Sequence, residues 1–335
     1  MSYTVLARRY RSQTFDDVIG QEAVSRTLKN ALATDRVAHA YLFTGTRGVG
    51  KTTMARILAK ALNCLSTDAP TPTPCGKCDL CQAVAEGEDI DVIEIDGASH
   101  TGVDNIRELR QNAGYKPARA RFKVYIIDEV HMLSTSAFNA LLKTLEEPPD
   151  HVKFIMATTE ANKVPATILS RCQRFDFRNI SLDDIAGQVE KIIRDEKIKA
   201  EDGVARRVAR MARGSMRDAL SLLDQLISMA DGKLTLELLA DLLGTPRTER
   251  ITALAQALAS SDPAETLREL DHALNEGLAP DQLAEALQQH FRDLLVMRQC
   301  GVETDLIDVD DPKIRETFAA QSQAFDDAAL VYYIP

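Results

Sequence analysis

The run Gly45-Thr46-Arg47-Gly48-Val49-Gly50-Lys51-Thr52 has the spacing G-x-x-x-x-G-K-[ST]. Glycines at that spacing let a loop curl until its backbone N–H groups face inward, where they can hold phosphate oxygens. Lys51 is then placed to reach the β and γ phosphates, and Thr52 to offer its hydroxyl to Mg²⁺. Further on, Lys123-Val124-Tyr125-Ile126-Ile127-Asp128-Glu129 reads as a buried strand ending in two carboxylates. Asp128 is the candidate for the Mg²⁺ shell, and Glu129 for the group that orients or deprotonates an attacking water. Neighbours on a strand point to opposite sides, which suits one ligand and one base. Alone, a strand ending in Asp-Glu is more often a solvated strand end; beside a phosphate loop it reads as an NTP hydrolysis site.

A second constellation is made of sulfur. Of six cysteines, Cys64, Cys75, Cys78 and Cys81 lie close together in the chain. Cys75-x-x-Cys78-x-x-Cys81 presents thiolates from a tight loop, and Cys64 can close a tetrahedron from the end of the preceding helix. Structural Zn²⁺ is the leading reading; buried thiols and an iron–sulfur cluster are the alternatives. Four protein thiolates leave no open coordination position, so such a zinc is structural and not catalytic. Cys172 and Cys300 stand apart and read as packing residues.

The elements that must position these groups follow two rhythms. Up to about Asn179, short β-branched runs at 41–45, 91–96, 123–128 and 153–159 alternate with helical patterns, the signature of βαβ units and a parallel sheet. The phosphate loop follows the strand Tyr41–Thr44 and leads into the helical run Thr53–Leu62, the context it requires. After Ile180 capped helices take over. Ser181-Leu182-Asp183-Asp184 starts one, Val204–Arg213 stops at Gly214, and Ser215 can cap the next, which ends near Gly232. Gly244-Thr245-Pro246 interrupts the pattern. Beyond it, Asp262-Pro263-Ala264-Glu265 opens a helix, and Leu283, Leu287, Phe291 and Leu294 form one stripe. Residues 329–335, ALVYYIP, read as a helix cut short, so the chain is expected to be a piece of something longer. The stripe Phe138, Leu141, Leu142 and Leu145 is core, closed by Pro148-Pro149, and His131 reads as a hydrogen-bonded core residue.

Composition narrows the class. The chain has 335 residues, 45% apolar and 27% charged. At roughly 150 residues per domain it holds two or three domains, each able to bury a core. Disordered, collagenous and membrane classes are excluded, and the N-terminus lacks the apolar run of a signal peptide, which points to the cytoplasm. Trp is absent and aromatics are 5%, against a base-stacking single-strand binder. From Gly244 onward there are 17 acidic and 7 basic residues, so the whole net charge of −10 lies in the last third. Any nucleic-acid contact must therefore come from a local positive surface.

Taken together, the phosphate loop at 45–52, the cysteine cluster, IDEVHMLS at 127–134, LLKTLEEPP at 141–149 and SRC at 170–172 resemble the γ/τ subunit family of bacterial DNA polymerase III, the AAA+ ATPases of the sliding-clamp loader. The likeness starts at residues 4–21, TVLARRYRSQTFDDVIGQ, and weakens towards the end. It implies an α/β AAA+ P-loop NTPase domain with a parallel sheet over 1–180, its zinc module at 64–81. A three-helix lid would follow over 181–243, then a partial all-α collar over 244–335. By the same resemblance Thr159 matches the sensor-1 position that reads the γ-phosphate. Arg171 matches the arginine finger acting on a neighbour's ATP, and Arg217 the sensor-2 arginine of the lid. Arg217 has independent support: a cation in the first turn of a helix opposes the dipole, which suggests an anionic partner, against the plainer pairing with Asp218.

The implied function is an ATP hydrolase within the polymerase III holoenzyme, using ATP and Mg²⁺ to open the β sliding clamp and load it on primed DNA. Implied partners are the δ and δ′ subunits, further γ/τ copies, the clamp and primer–template DNA. Polymerase core and helicase would bind a tail not in this chain. A non-hydrolysing scaffold subunit of the same loader and an AAA+ branch-migration helicase are the rival readings. Two departures stand out: Ser12 occupies a usual proline position, expected to loosen the N-terminal segment, and the loop 65–74 is slightly long.

Overall fold

The computed structural model describes residues 4–99, 102–244, 248–275, 279–302, 304, 306–307 and 312–332. Thr245, Pro246 and the two ends of the chain, all used above, lie outside them. The chain divides into two compact units, Met1–Ser228 and Met229–Pro335. No helix among the described residues is long and apolar enough to cross a membrane.

The first unit is built on a five-stranded sheet: β1 (Ala40–Thr44), β2 (Val92–Asp96), β3 (Lys123–Asp128), β4 (Val152–Thr158) and β5 (Gln173–Asp176). The strand order is β2-β3-β4-β1-β5, and every pairing is parallel. Parallel strands need crossovers, here supplied by α3 (Lys51–Asn63), α4 (Asp79–Glu86), α5 (Val103–Ala113), α6 (Thr135–Glu146) and α7 (Ala166–Leu169), with α1 (Leu6–Arg9) and α2 (Glu22–Ala33) ahead of β1. The central strands are apolar on both faces because helices cover both. Tyr41, Phe43, Val124, Ile126, Ile155 and Ala157 face α2 and α3. Leu42, Tyr125, Ile127, Phe154 and Met156 face α5, α6 and α7. The alternation along each strand is the period-2 side-chain rule at work.

β5 has no counterpart in the sequence reading. Its four residues, QRFD, bury only Phe175, so the segment carries no apolar run to detect. It pairs with β1, with Thr44 opposite Asp176.

Three helices complete the first unit: α8 (Leu182–Asp195), α9 (Val204–Met211) and α10 (Met216–Met229), the last ending at the boundary. Ser181 caps α8 by accepting the Asp184 N–H, and Ser215 accepts that of Asp218 at the start of α10. Between α9 and α10, Arg213 and Gly214 are both left-handed. An added Cβ on Gly214 would lie 2.7 Å from that of Asn179, so this turn needs glycine twice over.

The second unit is helical: α11 (Leu236–Leu243), α12 (Thr248–Ala259), α13 (Pro263–Asn275), α14 (Pro280–Cys300), α15 (Pro312–Ala324) and α16 (Asp327–Tyr332). Asp262 caps α13 as its sequence suggests, accepting from Ala264 and Glu265 N–H. Leu283, Phe291 and Leu294 of α14 are buried, Leu287 half-buried between two apolar clusters. Cys300, the last residue of α14, is exposed, so it does not pack as the sequence reading expected.

Candidate functional site

Register brings the site segments to one edge of the sheet. Thr44 and Thr158 are paired, Ile127 faces Met156, and Asp96 faces Asp128. The phosphate loop after β1, the acidic pair ending β3 and Thr159 after β4 therefore emerge side by side at the carboxyl ends of three adjacent strands, where ligands bind in open α/β sheets.

Within the loop, Gly45, Gly48 and Gly50 all have positive φ, with values of 147°, 79° and 102°. Two of them are also short of room. A Cβ on Gly45 would meet Phe177 O at 2.6 Å, and one on Gly48 would meet Ser215 Oγ at 1.9 Å. Helix α3 begins at Lys51. The Lys51 ammonium is buried and donates to Gly45 O at 2.7 Å and Thr46 O at 2.8 Å. Burial lowers its pKa, opposed by the charges of Glu129 and Asp128. Thr52 Oγ1 donates to Asp128 Oδ2 at 2.7 Å, so the hydroxyl and the carboxylate converge on one point. Both are hard oxygen donors, the donor set that suits Mg²⁺.

Glu129 differs from expectation. β3 ends at Asp128, and Glu129 is the left-handed residue after it, with φ 46°, so strand alternation does not aim its side chain. The backbone turn does so instead, at a conformation that a non-glycine residue adopts only when its surroundings hold it. Part of that hold is Gly97: its N–H donates to Asp128 O at 2.7 Å, and a Cβ there would lie 2.6 Å from Glu129 O. Glu129 Oε2 then accepts both the backbone N–H (3.1 Å) and the hydroxyl (3.0 Å) of Thr159.

The segment after β5 and the start of α10 both contact the loop. Thr46 Oγ1 donates to Asn179 Oδ1 at 2.5 Å, and the Arg217 N–H reaches Gly48 O at 3.4 Å. Arg217 lies in the first turn of α10 and is exposed. Arg171 follows α7 and is held by Glu146 Oε1 at 2.8 Å and Thr167 O at 2.7 Å. None of its partners among the described residues belongs to the phosphate loop. Arg47 and Val49 complete the loop, Val49 buried in the core below it.

Polar contacts hold the segment around Ser12. Its hydroxyl donates to Asp17 O at 3.0 Å, Asp17 Oδ2 accepts from Gln13 and Thr14 N–H, and the buried Lys60 ammonium donates to Gln13 O at 2.7 Å.

The four cysteine sulfurs lie within 4.8 Å of one another. A tetrahedral zinc with Zn–S of about 2.3 Å would set them roughly 3.8 Å apart, so the cluster fits the ion after a small contraction. Cys64 directly follows α3, Cys78 directly precedes α4 and Cys81 lies within it. The N–H groups of Lys77 and Cys78 lower the Cys75 thiol to about 6, while burial pushes Cys81 up. Four thiolates this close repel, and a dication is what would let all ionise together. Arg121, which sequence reasoning passed over, braces the module: its guanidinium donates to Leu62 O, Cys64 O and Thr67 O at the end of α3.

Comparisons with known proteins agree in direction. Residues 20–181 match the family profile "DNA polymerase III, delta subunit", and residues 184–232 match "DNA polymerase III clamp loader subunit, ATPase lid domain". The tau subunit of DNA polymerase III from Bacillus subtilis is 46% identical over 98% of this chain and 58% of its own length. That of Escherichia coli is 50% identical over 83% and 43%. The gamma subunit from Buchnera aphidicola is 45% identical over 80% of this chain and 73% of its own. The chain thus spans about half the length of the tau subunits it matches. Among solved structures, the RuvB Holliday junction branch migration motor of Thermotoga maritima has a TM-score of 0.53 at 18% identity, covering 74% of this chain and 79% of that one. That likeness concerns the fold alone. With a relative 45% identical and nearly three quarters covered, the chain belongs to the gamma/tau subunit family of DNA polymerase III.

Proposed function

We propose that this chain binds ATP with Mg²⁺ at the phosphate loop and hydrolyses it as an ATPase subunit of a sliding-clamp loader. The observation that carries the reading is the convergence of Lys51, Thr52, Asp128, Glu129 and Thr159 at one sheet edge, with Thr52 and Asp128 2.7 Å apart. The backbone N–H groups of Gly45, Thr46, Arg47, Gly48, Val49 and Gly50 bind phosphate oxygens, and Lys51 leaves its two carbonyl partners for the β and γ phosphates. Thr52 and Asp128 would hold the shell of Mg²⁺, which when bound would supply neutralisation of the charge that develops on the transferring phosphoryl group. Glu129 orients the attacking water and takes its proton, and Thr159 reads the γ-phosphate from the adjoining strand end. Arg217 meets the phosphates from the helical lid.

Arg171 acts on ATP in a neighbouring subunit. Its present partners are surface groups, Glu146 among them, and an exposed ion pair of this kind is weak enough to exchange. Residues 1–180 form the ATPase domain, 181–243 the lid and 244–335 a collar, with structural Zn²⁺ on Cys64, Cys75, Cys78 and Cys81. The partners are δ, δ′ and further γ/τ subunits, the β clamp and primer–template DNA, gripped through phosphates and shape rather than base edges. Polymerase core and helicase join through the rest of a longer protein.

The test uses the full-length protein assembled with these partners, with and without primed DNA. Glu129→Gln should keep ATP affinity and abolish turnover; unchanged steady-state hydrolysis overturns the reading. Lys51→Ala and Arg171→Ala should each abolish the stimulation by clamp and DNA. If Arg171→Ala leaves stimulation intact, the shared-site reading is wrong.

A further inference from the structure

One imidazole sits directly behind the water-activating carboxylate. His131 belongs to the 3₁₀ turn Val130–Met132 that follows Glu129, and only 6% of its side chain is exposed. Its two ring nitrogens face different acids. Nδ1 lies 3.0 Å from Thr158 Oγ1 and 3.3 Å from Glu129 Oε2. Nε2 lies 3.2 Å from Glu160 Oε1. Glu160 is itself held: Lys163 Nζ donates to its carboxylate at 2.8 Å, and its backbone N–H donates to Thr158 Oγ1 at 3.0 Å. A continuous set of polar contacts therefore runs from Glu129 through His131 to the exposed pair Glu160–Lys163.

We propose that His131 is a positioning residue for Glu129. Together with Thr159 it fixes one carboxylate oxygen, Oε2, and so turns Oε1 towards the attacking water. The inference rests on the role given to Glu129 above.

The geometry supports this assignment in three ways. Oε2 already takes two donors from Thr159, and the imidazole edge adds a third polar neighbour on the same oxygen, which leaves the other oxygen as the working one. A carboxylate only accepts, so the ring acts on Oε2 through a proton at Nδ1, which faces both Thr158 Oγ1 and Glu129 Oε2. The Thr158 hydroxyl oxygen also accepts the Glu160 N–H, which ties the ring edge to the backbone after β4. The arrangement repeats the logic of a catalytic group oriented by a neighbour that is itself oriented by a third. The left-handed backbone takes the Glu129 side chain out of strand alternation, so its aim depends on side-chain contacts such as these.

The two ring positions can be separated by substitution. An asparagine amide sits where Nδ1 does, and a glutamine amide reaches towards the place of Nε2. In the full-length protein with its partner subunits, clamp and primed DNA, His131→Leu should lower kcat about 10–100-fold, the range in which a misplaced reacting group acts. Its ATP affinity and KM should stay at the wild-type value. His131→Asn should recover a large part of kcat, and His131→Gln should resemble His131→Leu. Three results would overturn the proposal: His131→Leu turning over ATP at the wild-type rate, ATP affinity falling in step with kcat in both His131→Leu and His131→Asn, or Gln rescuing better than Asn. If His131→Leu fails to fold, the Asn and Gln variants still decide by their rank. Glu129→Gln, run alongside, separates the two levels. Turnover retained there sinks the hydrolytic role itself, whereas turnover lost there with a fast His131→Leu sinks only the positioning role.

Discussion

Replacing Gly48 with alanine places a methyl group where the phosphate loop and the helical lid meet. The residue has φ 79°, and left-handed backbone costs an L side chain about 1–2 kcal/mol. The new Cβ would lie 1.9 Å from Ser215 Oγ, a distance no pair of heavy atoms tolerates, so the hydroxyl must swing away. That hydroxyl accepts the Asp218 N–H at 3.2 Å as the cap of α10, and losing such a cap costs about 1 kcal/mol. The total is about 2–3 kcal/mol, or a fall of about 4–12 °C in the melting temperature of a unit this size. Ser215→Ala alone should cost about 1 kcal/mol. Because the cap can be lost only once, the double variant should fall short of the sum by about 1 kcal/mol. The Ser215 Cβ remains 3.0 Å from the added methyl, so some crowding persists in the double variant. Thermal melting of the four proteins measures the cycle, and titration with a fluorescent ATP analogue reads the site, where Gly48→Ala should bind more weakly than Ser215→Ala. Strict additivity, or a Gly48→Ala protein with wild-type melting and affinity, would refute the contact between loop and lid on which the reasoning stands.

Other consequences follow from single contacts. Gly97→Ala should cost about 1–3 kcal/mol by overpacking against Glu129 O at 2.6 Å, and it should lower ATP turnover more than ATP affinity; equal losses in both would tie Gly97 to the fold alone. Metal analysis of purified full-length protein should find one zinc per chain, lost together with several degrees of thermal stability in Cys78→Ser; iron, or no metal at all, contradicts the assignment. In the second unit, His290 is buried against Phe318 with Nε2 2.8 Å from Gln321 Oε1, and burial lowers its pKa below the ordinary 6.5 against the opposing bond to Gln321. The folded form thus binds fewer protons than the unfolded one, and its stability contribution is whole above pH 6.5 and lost as pH falls towards the folded value. Urea midpoints at pH 7.5 and 5.5 should show this loss, and His290→Leu should flatten it; an equal slope in the variant rules out His290 as its source.

What could be read from residues alone was the part of the protein encoded in short spacings. The loop 45–52, the cysteine cluster, the caps at Ser181, Ser215 and Asp262, and the strands at β1 to β4 each depend on a few consecutive residues whose backbone or ligand geometry is local. What the tertiary structure decided is non-local. The strand order β2-β3-β4-β1-β5 brings Thr52 to Asp128 and Thr159 to Glu129 across dozens of residues. Folding likewise delivers Asn179 and Ser215 to the phosphate loop, Gly97 to the back of Glu129, and His131 between two carboxylates. β5 and the left-handed turn at Glu129 escaped the sequence for the same reason. Neither is favoured by its own residues, and each exists because a neighbour in space, β1 in one case and the Gly97 backbone in the other, offers the hydrogen bonds and the room that chain order does not record.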